Sequence, residues 1–316
     1  LTMDIAHLPV LADETLRLLQ PRKVNELMID ATMGEGGHSL LFLDNYPDLR
    51  LVGLDADASI LSVARERLAR FGDRVRFYNV WFNHFFREYP HELERPDIVL
   101  FDLGISGFHY DRSGRGFSFR KDEPLDMRLS EDLELSARDI VNEYPESELA
   151  DIFYEFGEER YSRRIARAIV EQRRRVPIES SSELADLIYH AVPQEYRHGR
   201  IHPATRSFQG LRIAVNGELA RLEAAMTAAL AVTKVGGRIG IISFHSLEDR
   251  LVKRFFREKN KACTCPPEQP MCNCGGRRIV QILTKKPISA GAVERSANAS
   301  SRSAKLRVVV KLEEEQ

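Results

Sequence analysis

No run in this chain of 316 residues approaches the roughly 18 to 20 consecutive apolar residues that a membrane-spanning helix needs. The opening stretch LTMDIAHLPVL also lacks the basic flank of a secretory signal and carries an acid at Asp4. Both absences lead us to expect a cytoplasmic protein with no membrane partner. Cysteine is scarce: four residues, all in Cys263-x-Cys265-x6-Cys272-x-Cys274 of one proline-rich loop. A reducing compartment disfavours stable disulfides among them. Four thiolates so close could hold zinc, although C-x-C pairs are tighter than the usual C-x2-C knuckle. Structural metal and plain thiols both stay open. No internal repeat is visible.

Net charge is nearly absent too, at −1, which by itself argues against a polyanionic partner. Its distribution argues the other way. Residues 1–106 hold 11 basic and 17 acidic residues, a net of −6; residues 107–212 hold 17 and 20, a net of −3. Residues 234–311 hold 17 basic and only 5 acidic residues, a net of +12. Such a block inside a neutral chain reads as a polyanion-binding face, with a merely solvated surface as the alternative.

The patterning alternates between strands and helices. PVLADETLRLLQP has helical spacing and stops at Pro21. Short apolar runs at 26–32, 51–57, 74–80 and 96–104 read as strands, and 59–71 reads as a helix with Ile60, Ala64, Leu68 and Phe71 on one face. This rhythm predicts an α/β fold with a mostly parallel sheet. From about 107 to 205 no buried strand is apparent; helical stretches follow one another, with cap signals at Ser136 and Ser180–Ser182. One long helix is expected over 207–231, then strands at 236–245, 279–286 and 305–313, the last two as a hairpin. The predicted organisation is a sheet domain from 1–106 and 207–316, interrupted by a helical subdomain at 107–206.

The first strand enters the turn Met33-Gly34-Glu35-Gly36-Gly37-His38-Ser39. Glycines between a first strand and a helix let backbone approach a ligand, and the helix start offers unpaired N–H groups. A dinucleotide site needs G-x-G-x-x-G. Here Ser39 takes the third glycine position, which counts against a nicotinamide dehydrogenase and suits a cofactor without phosphates. Asp55, nineteen residues after Gly36, ends the second strand, where an acid can accept from both hydroxyls of a ribose. Asp57 fits a helix N-cap better than Asp55 does. Trp81 and Phe82 offer aromatic surface where an adenine could lie, unless they are core. Asp30, Asp55 and Asp102 all fall at carboxyl ends of strands, where open α/β sheets bind ligands. Three acids in one crevice repel unless something positive or rich in donors lies among them. A sulfonium with an aminoacyl ammonium and a ribose diol would supply both.

Seven motifs occur in order: DATMGEGGHS, GLDAD, DLGIS, RGFSFRKDEPLDMRL, GEERYSRRIARAIV, HPATRSFQGLRIAVNGEL and ISFHSLEDRLVKRFF. Over about residues 7 to 311 they resemble the bacterial small-subunit ribosomal RNA cytosine-N4 methyltransferase H family, also called MraW. The resemblance implies a Rossmann-like class I methyltransferase sheet with a helical insert, and S-adenosyl-L-methionine as cofactor. It implies N4-methylation of a cytidine in the decoding centre of 16S rRNA, near the P site, with naked rRNA or the assembled small subunit as partner. Oligomeric state is left open, a homodimer being one option. Carried over, the cofactor contacts are Gly34, Gly36, Gly37, His38, Asp55 at the ribose, Phe82 beside the adenine, and Asp102 near the methionine end. The family reads DLGVSS, one residue, then Gln; this chain reads DLGISGFHYD, so Gly107 replaces a serine and His109 stands at the glutamine position that contacts the cofactor.

Methylating an exocyclic amine requires the nitrogen held in line with the methyl–sulfur bond and acceptors for its protons. Asp102 and the stretch Leu103–Ser106 are placed for this, with Asp102, Ser106 and Asp126 as catalytic candidates. The acid-or-amide, proline, proline, aromatic tetrad of many amino-methyltransferases is missing, which counts against a DNA enzyme. No general base stands out. The cytidine is expected to leave its stack to react. The loop 114–128 could fold over the crevice, offering Phe117 and Phe119 for stacking and Arg128 for contact. His202, Arg206 and Arg212 are candidates for phosphate or base contacts. Lid packing and helix capping are the plainer readings of these residues. A non-catalytic RNA-binding module that senses the cofactor is the rival of a different class.

Overall fold

The computed structural model describes residues 9–263, 265, 269, 271 and 276–314. They form two compact units, one made of the chain up to Gly104 and from Leu219 onward, the other of Ile105–Glu218.

The first unit is a seven-stranded sheet: β1 Leu27–Asp30, β2 Arg50–Asp55, β3 Val75–Asn79, β4 Ile98–Asp102, β5 Arg238–Ser243, β6 Val280–Ile282 and β7 Lys305–Lys311. Their spatial order is β3-β2-β1-β4-β5-β7-β6. All neighbours run parallel except β7, which is antiparallel to both β5 and β6. This mostly parallel, Rossmann-like sheet is the one the family resemblance implies. Its central strands are apolar on both faces because helices cover both. Alternate residues feed two cores: Ile29, Val52, Val99 and Phe101 pack with Leu222, Met226, Val252 and Phe256. Met28, Leu51, Ile98 and Leu100 pack with Leu19, Phe42, Leu61 and Leu68 on the other side. A period of two with both faces buried leaves no polar position inside these strands, so polar residues collect at their ends.

The second unit is helical. Its helices Ala137–Glu143 and Ser181–Ala191 start with capping boxes at Ser136–Asp139 and Ser180–Glu183, as the cap signals predict. Among described residues its only β pairing is a bridge between Pro124 and Ser180.

Two expectations need correction. The single helix over 207–231 is two helices, Ala204–Asn216 and Glu218–Val232, broken at Gly217, whose φ of 58° ends the first in the left-handed conformation. The first of them belongs to the insert: Phe208, Leu211 and Val215 lie in the core formed with Phe153, Ile165 and Leu184. The helical unit therefore runs to Glu218 and not to residue 206.

No described helix is long and apolar enough to cross a membrane.

Candidate active site

The carboxyl ends of β1, β2 and β4 carry Asp30, Asp55 and Asp102. The chain leaving β1 is tied down on both sides, Ala31 N donating to Leu100 O and Met33 N to Leu54 O, each at 2.8 Å. It then turns through Gly34 (φ 54°) and Gly36 (φ 79°). Gly36 is the left-handed N-cap of the helix Gly37–Asn45, and a Cβ there would lie 3.2 Å from the Leu68 side chain. The left-handed backbone favours glycine at Gly36, and the Leu68 side chain leaves a larger residue little room.

Each acid has a different environment. Asp55 is held by two backbone amides, Gly34 N to Oδ2 at 2.8 Å and Asp57 N to Oδ1 at 2.9 Å. Its direction is thereby fixed, and a carboxylate has about four acceptor sites in all. Asp57 is the N-cap, accepting from Ser59 N at 2.9 Å, as its position suggests. Asp30 is buried; burial pushes its carboxyl up to about 6, opposed by Ser39 Oγ, which donates to Oδ2 at 2.6 Å. Thr32 bridges the strand ends, its hydroxyl accepting from Asp102 N at 2.6 Å.

Asp102 stands apart. Its side chain retains 26% exposure, yet Oδ1 is enclosed and has no hydrogen-bond partner. Burial first, then the charges of Asp30 and Glu248, pushes its pKa up to about 8. The enclosed oxygen and two neighbouring acids support that direction despite the partly open side chain. His38, buried in the first turn of its helix, points Nε2 at Asp102 Oδ2 from 3.5 Å. Burial lowers the His38 pKa to about 4.

The aromatic surface after β3 is only partly as expected. Phe82 is half-buried, edge-on to Phe101 with centroids 5.7 Å apart. Trp81 is covered by the Arg221 guanidinium 4.0 Å above its ring, and Arg221 also reaches Asn83 Oδ1 at 3.4 Å. No signal at Arg221 marked it in the sequence.

In the helical unit the predicted residues divide. Ser106 Oγ and His109 Nδ1 are 3.1 Å apart, and His109 is buried edge-on against Phe117. Phe117 is 5% exposed and belongs to the core, so its ring is not the stacking surface expected of it. Phe119 is half-buried, stacked on His202 with centroids 4.6 Å apart and tilted only 29°, and Tyr189 continues the stack at 6.0 Å. Asp126 and Arg128 form a bidentate pair, Nε to Oδ1 at 2.9 Å and Nη2 to Oδ2 at 2.7 Å. Asp126 is held below the usual carboxylate range by Arg128, against the opposing effect of burial. Arg206 donates to Glu158 O at 3.3 Å. Arg212 is bidentate with Glu218, at 2.7 and 2.9 Å, with 12% of its side chain exposed. That makes it a structural cation, contrary to a surface contact role.

The basic C-terminal block is partly structural as well. Arg238 is buried against the carbonyls of Leu18 and Gln20, Arg307 pairs with Asp249 at 2.7 Å, and Lys311 with Glu314 at 2.7 Å. The helix Ser246–Lys259 carries exposed Arg250, Lys253, Arg254 and Arg257 on one face at helical spacing, Arg254 pairing with Glu223 at 3.2 Å. Cys263 is exposed and Cys265 half-buried; Cys272 and Cys274, and with them the four-thiolate reading, lie outside the described residues.

Comparison with known proteins covers nearly the whole chain. A family model described as the MraW methylase family matches residues 4–312. The chain is 55% identical over 311 residues to "Ribosomal RNA small subunit methyltransferase H" of Treponema denticola, covering 98% of this chain and 99% of that one. It is 45% identical over 313 residues to the protein of that name in Heliobacterium mobile, covering 98% and 100%. To its namesake in Treponema pallidum it is 42% identical over 352 residues, covering 97% and 93%.

Proposed function

The chain belongs to the MraW methylase family, and on that premise we propose that it transfers a methyl group from S-adenosylmethionine to the exocyclic N4 amine of a cytidine in the decoding centre of 16S ribosomal RNA, near the P site. Relatives of matching length are named for small-subunit rRNA, which supports that RNA, free or in the assembled subunit, as the partner.

The observation that carries the reading is the Asp102 carboxyl, with its enclosed, unpartnered Oδ1 and pKa raised toward neutrality. A buried acceptor of this kind is costly unless a donor or cation meets it. The aminoacyl ammonium of S-adenosylmethionine fits that need. The glycine turn fits an uncharged adenosyl group, and Asp55, held by two amides, fits a ribose diol. When bound, the cofactor supplies an electrophilic methyl on sulfur.

The residues of the first unit then have separable roles in the proposal. Gly34, Gly36 and Gly37 give close backbone approach, His38 closes the site behind Asp102, Asp55 orients the ribose, and Phe82 flanks the adenine. Asp102 accepts from the amine, so that the nitrogen lone pair is turned toward the methyl. Ser106 and His109 are assigned to the reaction and the cofactor respectively through the family pattern. In the helical unit, Phe119 and His202 provide a ready stack for an unpaired base. Asp126, fixed by Arg128, reads cytosine's amine.

The test is transfer of radiolabelled methyl to intact small subunits, naked small-subunit rRNA and DNA, followed by nucleoside mass spectrometry. N4-methylcytidine in one of the ribosomal substrates is expected. Label in DNA alone, or at another base, would overturn the proposal.

A further inference from the structure

The motif GEERYSRRIARAIV has no role in the assignments above. It meets HPATRSFQGLRIAVNGEL inside the helical unit through two glycines. A Cβ on Gly157 would lie 2.5 Å from the Arg206 carbonyl oxygen, and one on Gly210 would lie 3.1 Å from Gly157 N. Any side chain at Gly157 would push the two segments apart. Glu158, next in the chain, takes φ 50°, a conformation rare outside glycine, and its carbonyl accepts from Arg206.

Glu159 is fully buried and spends its two oxygens on local donors: Tyr161 N at 2.8 Å and Tyr196 Oη at 2.7 Å. The two tyrosine rings meet edge-on, 4.9 Å between centroids. Arg160, exposed, has its guanidinium 4.9 Å from one ring centroid and 4.6 Å from the other. Arg160 and Arg206 both act electrostatically on the Tyr196 hydroxyl, against the larger upward push of burial and Glu159. Among the described residues, neither arginine forms an ion pair with a carboxylate. Neutral rings and a backbone carbonyl orient these two cations without neutralising them. That is the condition under which guanidinium groups bind phosphate oxygens well.

We propose that Arg160 and Arg206 form a two-guanidinium clamp for the phosphodiester backbone of the RNA substrate, with Tyr161, Tyr196 and Glu159 as its positioning residues. This rests on the reading that the substrate is RNA. The clamp carries no base specificity; it fixes the register of the strand on the helical unit.

The test uses Arg160→Gln, Arg206→Gln and the double variant in the full chain. Filter binding to small-subunit rRNA is measured across a salt series, alongside methyl-transfer kinetics, cofactor affinity and thermal unfolding. Each substitution should weaken RNA binding roughly tenfold and raise KM for RNA while leaving kcat and cofactor affinity unchanged. The slope of log K against log salt should fall by about 0.7 per arginine on single-stranded RNA. Arg160→Lys should restore the slope but not the full affinity, since lysine keeps the charge and loses the planar stack. Tyr196→Phe, which removes only the bond to Glu159, should raise KM for RNA without changing kcat. A wild-type protein that methylates rRNA, with a double variant of unchanged RNA affinity and salt slope, would overturn the clamp alone. A wild-type protein that neither binds nor methylates RNA would overturn the clamp together with the function it rests on. Should the double variant fail to fold, Arg160→Gln alone decides the question in the same way, because Arg160 is exposed.

Discussion

His38 Nε2 lies 3.5 Å from Asp102 Oδ2, and the two groups are shifted in opposite directions, the imidazole down to about 4 and the carboxyl up to about 8. Near neutral pH this is therefore a neutral imidazole beside a largely protonated acid, not an ion pair. The distance is long for a hydrogen bond. A cation arriving at Asp102 reverses the balance, because a nearby positive charge favours the ionised carboxyl.

Proton release follows from that. Calorimetric titration with S-adenosylmethionine at about pH 7, in buffers of different ionisation enthalpy, should show up to about one proton released per site. Asp102→Asn should abolish the release. Proton uptake, or a release of the same size in the variant, would show that Asp102 is not the group that ionises.

Stability should follow the same carboxyl. A raised folded-state pKa contributes stability that is full below the unfolded value of 3.8 and is lost as pH climbs through about 8. Asp102→Asn removes the charge without removing the shape. It should raise unfolding free energy by about 1–3 kcal/mol at about pH 8.5 and change it little at about pH 5. His38 acts at the other end: its lowered pKa contributes stability present above 6.5 and lost as pH falls through about 4. Urea unfolding at the two pH values checks this; an Asp102→Asn effect independent of pH would refute it.

Asp102→Ala separates chemistry from folding. The carboxyl has no hydrogen bond at Oδ1, so its removal breaks none there. The strand end stays anchored by the Asp102 amide on Thr32. Methyl transfer to rRNA should fall by at least about 10²- to 10³-fold, the usual cost of losing an aligned electrostatic group. At about pH 5, where the carboxyl is protonated in the folded protein, the circular dichroism spectrum and unfolding midpoint should be retained. Undiminished turnover would reject the role.

The sheet was legible because β1, β4 and β5 carry no polar side chain between their end residues and cannot be anything but covered on both faces. The same property made Asp30, Asp55 and Asp102 legible, since polar residues in such strands collect at the ends. Asp57 was separable from Asp55 by its place directly before a helix. What the sequence hid was decided by tertiary packing. Gly217 sits in a run, IAVNGELARL, whose spacing continues on either side, and a lone glycine inside a helix costs only about 1 kcal/mol. Pattern alone could not show that the first helix ends there. Phe117 and Phe119 are two residues apart with the same chemistry, yet one is core and the other stacks on His202. Arg160 had no signal of its own, because its orienting rings come from Tyr161 beside it and Tyr196 far along the chain.

Arg212 tests the consequence of that hidden helix end. Its partner, Glu218, is six residues on, a spacing that never faces on a continuous helix. The left-handed Gly217 interrupts the helix between them, and Arg212 and Glu218 form a bidentate pair with side chains only 12% and 16% exposed. Removing Arg212 leaves the Glu218 carboxylate with little water and without its bidentate partner. Arg212→Ala should therefore destabilise the protein by about 2–4 kcal/mol, whereas Arg212→Ala with Glu218→Ala together should cost less than the sum of the two single changes. KM for RNA should stay at the wild-type value in whatever fraction remains folded. A variant with an unchanged unfolding midpoint and a raised KM would return Arg212 to the substrate and remove it from the fold.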